Sequence, residues 1–274
     1  MTPSMKPRLS TLIRHLLALT IAATFLLPLA WTLAASLRPA GLPPPRGFEF
    51  LHWPPSFENY SRIFEILPFA RYAFNSLLVA LAGVLLTLLT ASWAGFGMSL
   101  LGRRAQIRLL ILSIFLQMIP FTALWLSRFL FFARLGLTNS YYAMLAPALM
   151  GTSPLFILLF YWTFRRIDRA VFESASLDGA NLFQTWMRIA LPLARPALMA
   201  VGLLAFLFYW NDFISPLLYL RSQTLYTLPV GMLQLQEMDR TNWPLLMAAA
   251  VLVTAPAVIV FAALQHSVLW WESE

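Results

Sequence analysis

Two stretches of the chain place polar groups where they could act. The first runs from Glu173 to Pro192 and carries Glu173, Asp178 and Arg188, with Gly179 in its middle and Pro192 at its end. The second is Tyr209-Trp210-Asn211-Asp212, in which an acid and an amide follow two aromatic rings. The familiar catalytic arrangements are absent from the sequence. His15, His52 and His266 are scattered, and neither H-E-x-x-H nor G-x-S-x-G occurs. There is no cysteine, which removes disulfides, thiolate metal sites and cysteine nucleophiles. Lys6 is the only lysine and no G-x-x-x-x-G-K-[ST] loop surrounds it, so any ATP used must bind another subunit. The reading assigns no catalytic residue and no metal ligand.

The elements that position these groups follow from the solvent the chain expects. Of its 274 residues 60% are hydrophobic and 11% charged, against about 25% charged in a soluble domain. A charge at the centre of a membrane helix costs roughly 2.5–3.5 kcal/mol, so long gaps between charges mark spans of about 20 residues. Six gaps qualify or nearly do: 15–37, 72–102, 109–127, 135–164, 196–220 and 241–271. They predict an all-α membrane protein with helices over about 15–37, 72–100, 109–128, 140–164, 196–219 and 244–268. The first gap resembles a signal peptide, with Lys6, Arg8 and Arg14 before it and Ala34-Ala35-Ser36 at its end. Its uncharged run Leu16–Ala35 exceeds the roughly 7–15 residues of a signal core, so an uncleaved helix is expected.

An even number of spans puts both ends on one side. With the N-terminus inside, eleven basic residues fall on inner segments and eight on outer ones. The short 102–108 loop, with Arg103, Arg104 and Arg108, votes for that orientation. The net charge of +8 therefore reads as topology rather than as nucleic-acid binding. Residues 165–195 are then cytoplasmic. Residues 38–70, 128–140 and 221–243 are outside. The 38–70 stretch, rich in proline (Pro39, Pro43, Pro44, Pro45, Pro54, Pro55) and aromatics, reads as an ordered outer lip.

Within the cytoplasmic stretch the pattern predicts a helix pair over 168–192. Asp168 caps the first helix and Gly179 ends it in the left-handed conformation. Val171, Phe172, Ala175 and Leu177 give that helix an apolar side. Asn181 caps the second, where Leu182, Phe183, Trp186, Ile189 and Ala190 recur at helical spacing, and Pro192 stops or kinks it. A helix lying on lipid usually shows Lys and Arg across its polar face. Here that face holds Glu173, Ser174, Ser176 and Asp178, which suits a protein partner better.

Glu173-x-Ala175-x-x-Asp178-Gly179-Ala180, followed by Ile189-x-Leu191-Pro192, resembles the EAA loop of ABC importer permeases. Phe57-Glu58-Asn59-Tyr60, Asn75-Ser76-Leu77, Trp210-Asn211-Asp212-Phe213 and Tyr226-Thr227-Leu228-Pro229-Val230-Gly231 resemble the carbohydrate-uptake branch, in particular its second permease subunit. The likeness runs from about residue 56 to 265. It implies the type I importer permease fold, with residues 71–265 as the permease core and 1–70 as an added N-terminal helix and lip. It implies a coupling helix docked in a cytosolic ATPase, with Glu173 and Asp178 making polar contacts, Ala175 permitting close approach and Gly179 setting the turn. Ala180, Ile189, Leu191 and Pro192 complete the motif. The implied partners are a second permease subunit, an ATPase dimer that holds ATP and Mg, and an extracytoplasmic binding protein, at a bacterial or archaeal cytoplasmic membrane. The proline-rich lip and 221–243 would face the binding protein. Ser174 stands where the family usually has alanine. The 266–274 tail is shorter than the Gly-containing tail of related permeases, which lends no support to a second ATPase contact through it.

For the path itself Asp212 is the one acid inside an expected span, which makes it a functional candidate. Asn211 would add donors and an acceptor for sugar hydroxyls, and Tyr209 and Trp210 would offer aromatic faces. An alternative puts Asp212 at the outer end of the span, hydrated or paired with Arg221. Ala91, Gly95 and Ser99, four apart, predict close helix packing, within this chain or against a partner permease. A secondary transporter driven by an ion gradient is the competing reading, with Asp212 as its thin support and no internal repeat visible.

Overall fold

The computed structural model describes residues 6–44 and 52–271, with side chains described for 11–44 and 52–264. Residues 272–274 of the expected 266–274 tail and residues 45–51 of the lip lie outside these limits, while 266–271 continue the last helix. Among the described residues all regular secondary structure is helical. In order, the helices are α1 (Lys6–Ser36), α2 (Glu58–Ile66), α3 (Phe69–Leu100), α4 (Arg103–Gln117), α5 (Trp125–Arg134), α6 (Tyr142–Leu145), α7 (Pro154–Arg165), α8 (Arg169–Leu177), α9 (Leu182–Thr185), α10 (Leu191–Leu193), α11 (Arg195–Trp210), α12 (Ile214–Tyr219), α13 (Leu228–Met238) and α14 (Trp243–Trp271). Four stretches, Thr11–Ser36, Phe69–Leu100, Tyr142–Arg165 and Trp243–Leu264, are long and apolar enough to cross a membrane, and there are up to six crossings if two bent pairs are counted.

The expected third span is not one straight helix. α4 ends at Gln117, Pro120 follows, and the chain resumes at an angle of 81° through a 3₁₀ turn and α5. Proline lacks the N–H that would continue the ladder. The fourth expected span is broken too. A 3₁₀ turn over Ala146–Met150 gives way to positive φ at Gly151 and Thr152, and Ser153 then caps α7 with Pro154 in its first turn. The fifth span stops at Trp210 and restarts at Ile214.

The chain divides into two compact units. In the unit Met1–Phe69 with Met232–Ala255, buried Asn59 donates its amide to the carbonyls of Ser36 and Arg38 at 3.0 and 2.7 Å, and Tyr60 Oη lies 2.7 Å from Ser36 Oγ. The Phe57–Tyr60 motif thus fastens the end of α1 to the start of α2.

The unit Ala70–Gly231 with Pro256–Glu274 holds both candidate stretches. Its core is where α3, α7 and α11 meet, around Ala91, Phe96, Phe160, Phe164, Ala197, Val201 and Ala205. The small residues of α3 act inside this chain. A methyl group added at Gly95 would sit 2.7 Å from Phe160 Cβ and 2.9 Å from the Ile157 carbonyl, so the α3 and α7 backbones touch there.

Candidate functional site

The 169–193 segment is built by local rules. Asp168 accepts from the Ala170 N–H at 3.1 Å and starts α8. The helix closes with the Gly179 N–H on the Ser176 carbonyl and the Ala180 N–H on the Ala175 carbonyl, the paired bonds of a left-handed cap. Gly179 supplies the φ of +82° this needs, and open space surrounds it, so the demand is conformational rather than steric. Asn181 and Gln184 then cap α9 reciprocally, at 2.9 and 3.0 Å. Trp186–Ala190 winds as a π-helix, with the Leu191 N–H on the Trp186 carbonyl. Pro192 offers no N–H to the Arg188 carbonyl, and the wider turn accommodates that loss. The α9–α10 rod meets α11 at 86°.

The apolar residues of this segment divide into two sets. Phe172, Ala175, Trp186 and Ala190 turn inward. Trp186 meets Trp93 of α3 edge-on, with ring centres 5.1 Å apart, and Phe96 of α3 touches both Phe164 of α7 and Phe172 of α8, at 5.7 and 5.6 Å. Each such pair contributes about 0.5–1.5 kcal/mol beyond its burial. Leu177 faces outward instead and is 89% exposed; Leu182 and Phe183 are exposed too, but the Phe183 ring rests on Trp93 and Trp186 at 6.1 and 5.5 Å. The single apolar side expected on α8 is therefore corrected: Phe172 and Ala175 anchor the helix, while Leu177 stands clear beside the exposed Glu173, Asp178 and Gly179. Ala175 is 5% exposed and packs within this chain. Ala180, Ile189 and Leu191 are half-buried, and Pro192 is exposed. The outward knob of Leu177 beside Glu173, Asp178 and Gly179 went unnoticed in the sequence, although Leu177 flanks the Gly179 turn. Among the described residues neither Glu173 nor Asp178 has an ion-pair partner, and no group of three or more metal-binding side chains gathers.

The second stretch lies in a polar crossing. Tyr209 is 3% exposed, and its hydroxyl sits 2.9 Å from that of Thr152 in the break before α7. Thr152 in turn bonds Thr87 of α3, and Thr90, one turn on, donates to the Ala148 carbonyl at 2.5 Å. The Ser153 hydroxyl reaches Gln117 of α4 at 3.2 Å. The Tyr209 ring presses on Gly83, where an added methyl would come within 2.4 Å of it. The sequence does carry a signal for this crossing, two threonines three apart in an apolar span and the run Gly151-Thr152-Ser153-Pro154.

Trp210 is buried and stacks on Phe206 at 5.4 Å. Neither ring presents an open face. Asn211 is exposed and donates to the Leu207 carbonyl of its own helix at 2.9 Å. Asp212 is half-buried and caps α12, accepting from the Ser215 N–H at 3.0 Å. The cation whose field reaches it is Arg128 rather than Arg221. Arg128 lies 4.7 Å over the Phe121 ring, which packs on Phe208 of α11.

The segment between α12 and α13 is clamped. The Asn75 amide donates to the Thr224 and Tyr226 carbonyls at 3.0 and 2.9 Å, and Ser76 Oγ accepts from the Leu228 N–H at 2.8 Å. Asn139 Oδ1 accepts from the Arg221 and Ser222 N–H groups at 3.0 and 2.9 Å. The Asn75-Ser76 and Tyr226–Gly231 motifs, 150 residues apart, are two halves of one joint.

The broken-span bundle with its outward helix-turn-helix is that of a multi-pass membrane protein. Residues 83–268 match the binding-protein-dependent transport system inner membrane component, and the chain belongs to that family. It is 31% identical to the trehalose/maltose transport system permease protein MalG of Thermococcus litoralis, over 88% of this chain and 87% of that one. It is 29% identical to the arabinooligosaccharides transport system permease protein AraQ of Halalkalibacterium halodurans, over 96% and 95%. Its fold is similar to that of a bacterial ABC transporter involved in the import of the acidic polysaccharide alginate, with a TM-score of 0.77, 22% identity and coverage of 97% and 99%. Members of the family are permease subunits of membrane transport systems and are not themselves enzymes.

Proposed function

We propose that the chain is one of two permease subunits of an ATP-driven importer for a sugar, crossing the membrane six times with both ends in the cytoplasm. A separate ATPase dimer binds ATP and Mg and receives the knob formed by Leu177, Glu173, Asp178 and Gly179. A second, different permease completes the pathway, and an extracytoplasmic binding protein delivers the sugar to the outer segments. The observation that carries this reading is the division of the 169–193 segment. Its inner face is bolted by Trp186, Phe172 and Ala175 to α3 and α7, while its outer face offers an unpaired acidic and apolar tip. A force applied at such a tip reaches the spans through packed side chains rather than through a slack loop.

The sugar is supported by the substrates in the names of the relatives, arabinooligosaccharides and trehalose/maltose. The ion-gradient alternative is not favoured. The family is tied to a binding protein, and Asp212, its main support, is engaged in capping α12.

The test is uptake by cells carrying Glu173→Lys or Gly179→Pro, with membrane insertion checked by blot. Both variants are expected to insert and to lose uptake. Normal uptake in both would remove the coupling role. Mass spectrometry of what co-purifies with the wild-type chain in mild detergent should find an ATPase and a second permease.

A further inference from the structure

Beside the outward knob, and sharing Glu173 with it, lies a cleft of about 730 Å³, walled by the ends of α3 and α7, the start of α4, and α8 with α9. Its charge is unbalanced. Arg103, Arg165 and Arg169 line it against one acid, Glu173. Among the described residues Arg103 and Arg169 have no ion-pair partner. Arg165 is held in place: it donates to Tyr161 Oη at 3.0 Å, Tyr161 donates to Gln106 Oε1 at 3.1 Å, and the Gln106 amide holds the Ser99 and Leu101 carbonyls. α4 starts at this wall with no side-chain cap and no acid in its first turn, so its positive end is uncompensated. The uncharged part of the wall is mixed: Ser99, Gln106, Ser176, Asn181 and Thr185 are polar, while Phe96, Phe164, Phe172 and Leu182 give it an apolar side. A purely ionic ligand would leave those rings unused.

We infer that the cleft binds the phosphate headgroup of an anionic phospholipid from the adjacent leaflet, with Arg103 and Arg169 holding the phosphate and the rings receiving the start of the acyl chains. The inference rests on the proposed orientation, which places this cleft at the cytoplasmic surface. It uses the general affinity of basic pockets between helices on that side for anionic headgroups. The depth agrees, because α3 and α7 both end at the cleft, where a span reaches the headgroup layer. A lipid seated there would bridge the 169–193 segment to the spans it is meant to move.

The test takes the complete complex, purified in detergent, and supplies phosphatidylglycerol or phosphatidylcholine. Native mass spectrometry counts the lipid retained. The wild type should keep phosphatidylglycerol in preference. Each arginine contributes a factor of about five, so the Arg103→Gln/Arg169→Gln pair should lose retention by more than about tenfold. Arg104→Gln removes an equal charge next to the cleft without lining it, and should retain the lipid. Inorganic phosphate at millimolar concentration should not displace it. Equal retention by the double variant, or no preference for phosphatidylglycerol, overturns the inference. Displacement by inorganic phosphate also overturns it and makes the ligand a free anion. Co-purification of the ATPase is read in the same spectra. Its absence from the wild type would count against the proposed function, while lipid retention by the chain would still decide the cleft.

Discussion

The hydroxyls of Tyr209 and Thr152 lie 2.9 Å apart, and they join α11 to the break in the fourth span. Thr152 holds a φ of +60°, a conformation that costs a β-branched residue of order 1–3 kcal/mol. Its hydroxyl also bonds Thr87 of α3. The break is thus held open from two neighbouring helices. Tyr209→Phe keeps the ring and removes one of these bonds, with an expected cost of about 0.6 kcal/mol. Thr152→Val removes both, and should lower the melting temperature of the purified complex clearly more than Tyr209→Phe. Equal shifts would show that the hydroxyls do not hold the break.

Gly83 and Tyr209 form a steric pair. Gly83→Ala puts a methyl group 2.4 Å from the ring. Overpacking of this kind typically costs 1–3 kcal/mol, so Gly83→Ala should reduce folded protein in size-exclusion chromatography. Adding Tyr209→Leu should recover part of the loss. A double variant as poor as the sum of the two would show that the ring is not what the methyl meets.

In the proposed coupling Trp186, 3% exposed, would transmit rather than dock. Trp186→Ala empties a buried site beside Trp93 and Phe183, at a cost of about 3–5 kcal/mol in a packed interior. Trp186→Phe keeps most of the volume and should preserve assembly. The expected outcome for Trp186→Phe is a complex that hydrolyses ATP with reduced transport per ATP consumed. Unchanged coupling in Trp186→Phe would place the transmission elsewhere.

The Asn75 clamp predicts a protease phenotype. Asn75→Ala frees the Thr224 and Tyr226 carbonyls and should loosen 220–227, so trypsin should cut after the exposed Arg221 several-fold faster. Stimulation by the binding protein should fall with it. An unaltered cleavage rate would mean that Asn139 alone fixes the segment.

Much of this was readable in the sequence, for a simple reason. Charges are expensive in lipid, so the spans appear as gaps, and caps are local, so Asp168, Gly179 and Asn181 fall where their chemistry demands. The facing of the helices was less readable. In the spans the outside is apolar as well as the core, so the buried Tyr209 and a ring open to substrate looked alike. On the proposed cytoplasmic α8 a face kept for a protein partner is apolar too, so Leu177 and Ala175 looked alike. The crossing of Thr87, Thr152 and Tyr209 joins residues far apart in sequence, and no local rule links them.

The central claim is that the tip beside Gly179 touches the ATPase. The chain has no cysteine, so Leu177→Cys introduces a single thiol at a position 89% exposed. With single cysteines placed around the docking cleft of the ATPase, oxidative cross-linking of the assembled complex in membranes reads the contact directly. The account predicts a disulfide between Leu177→Cys and the ATPase, and none from the buried Ala175→Cys. A complex that assembles and hydrolyses ATP, yet gives no cross-link from Leu177→Cys at any cleft position, would contradict it.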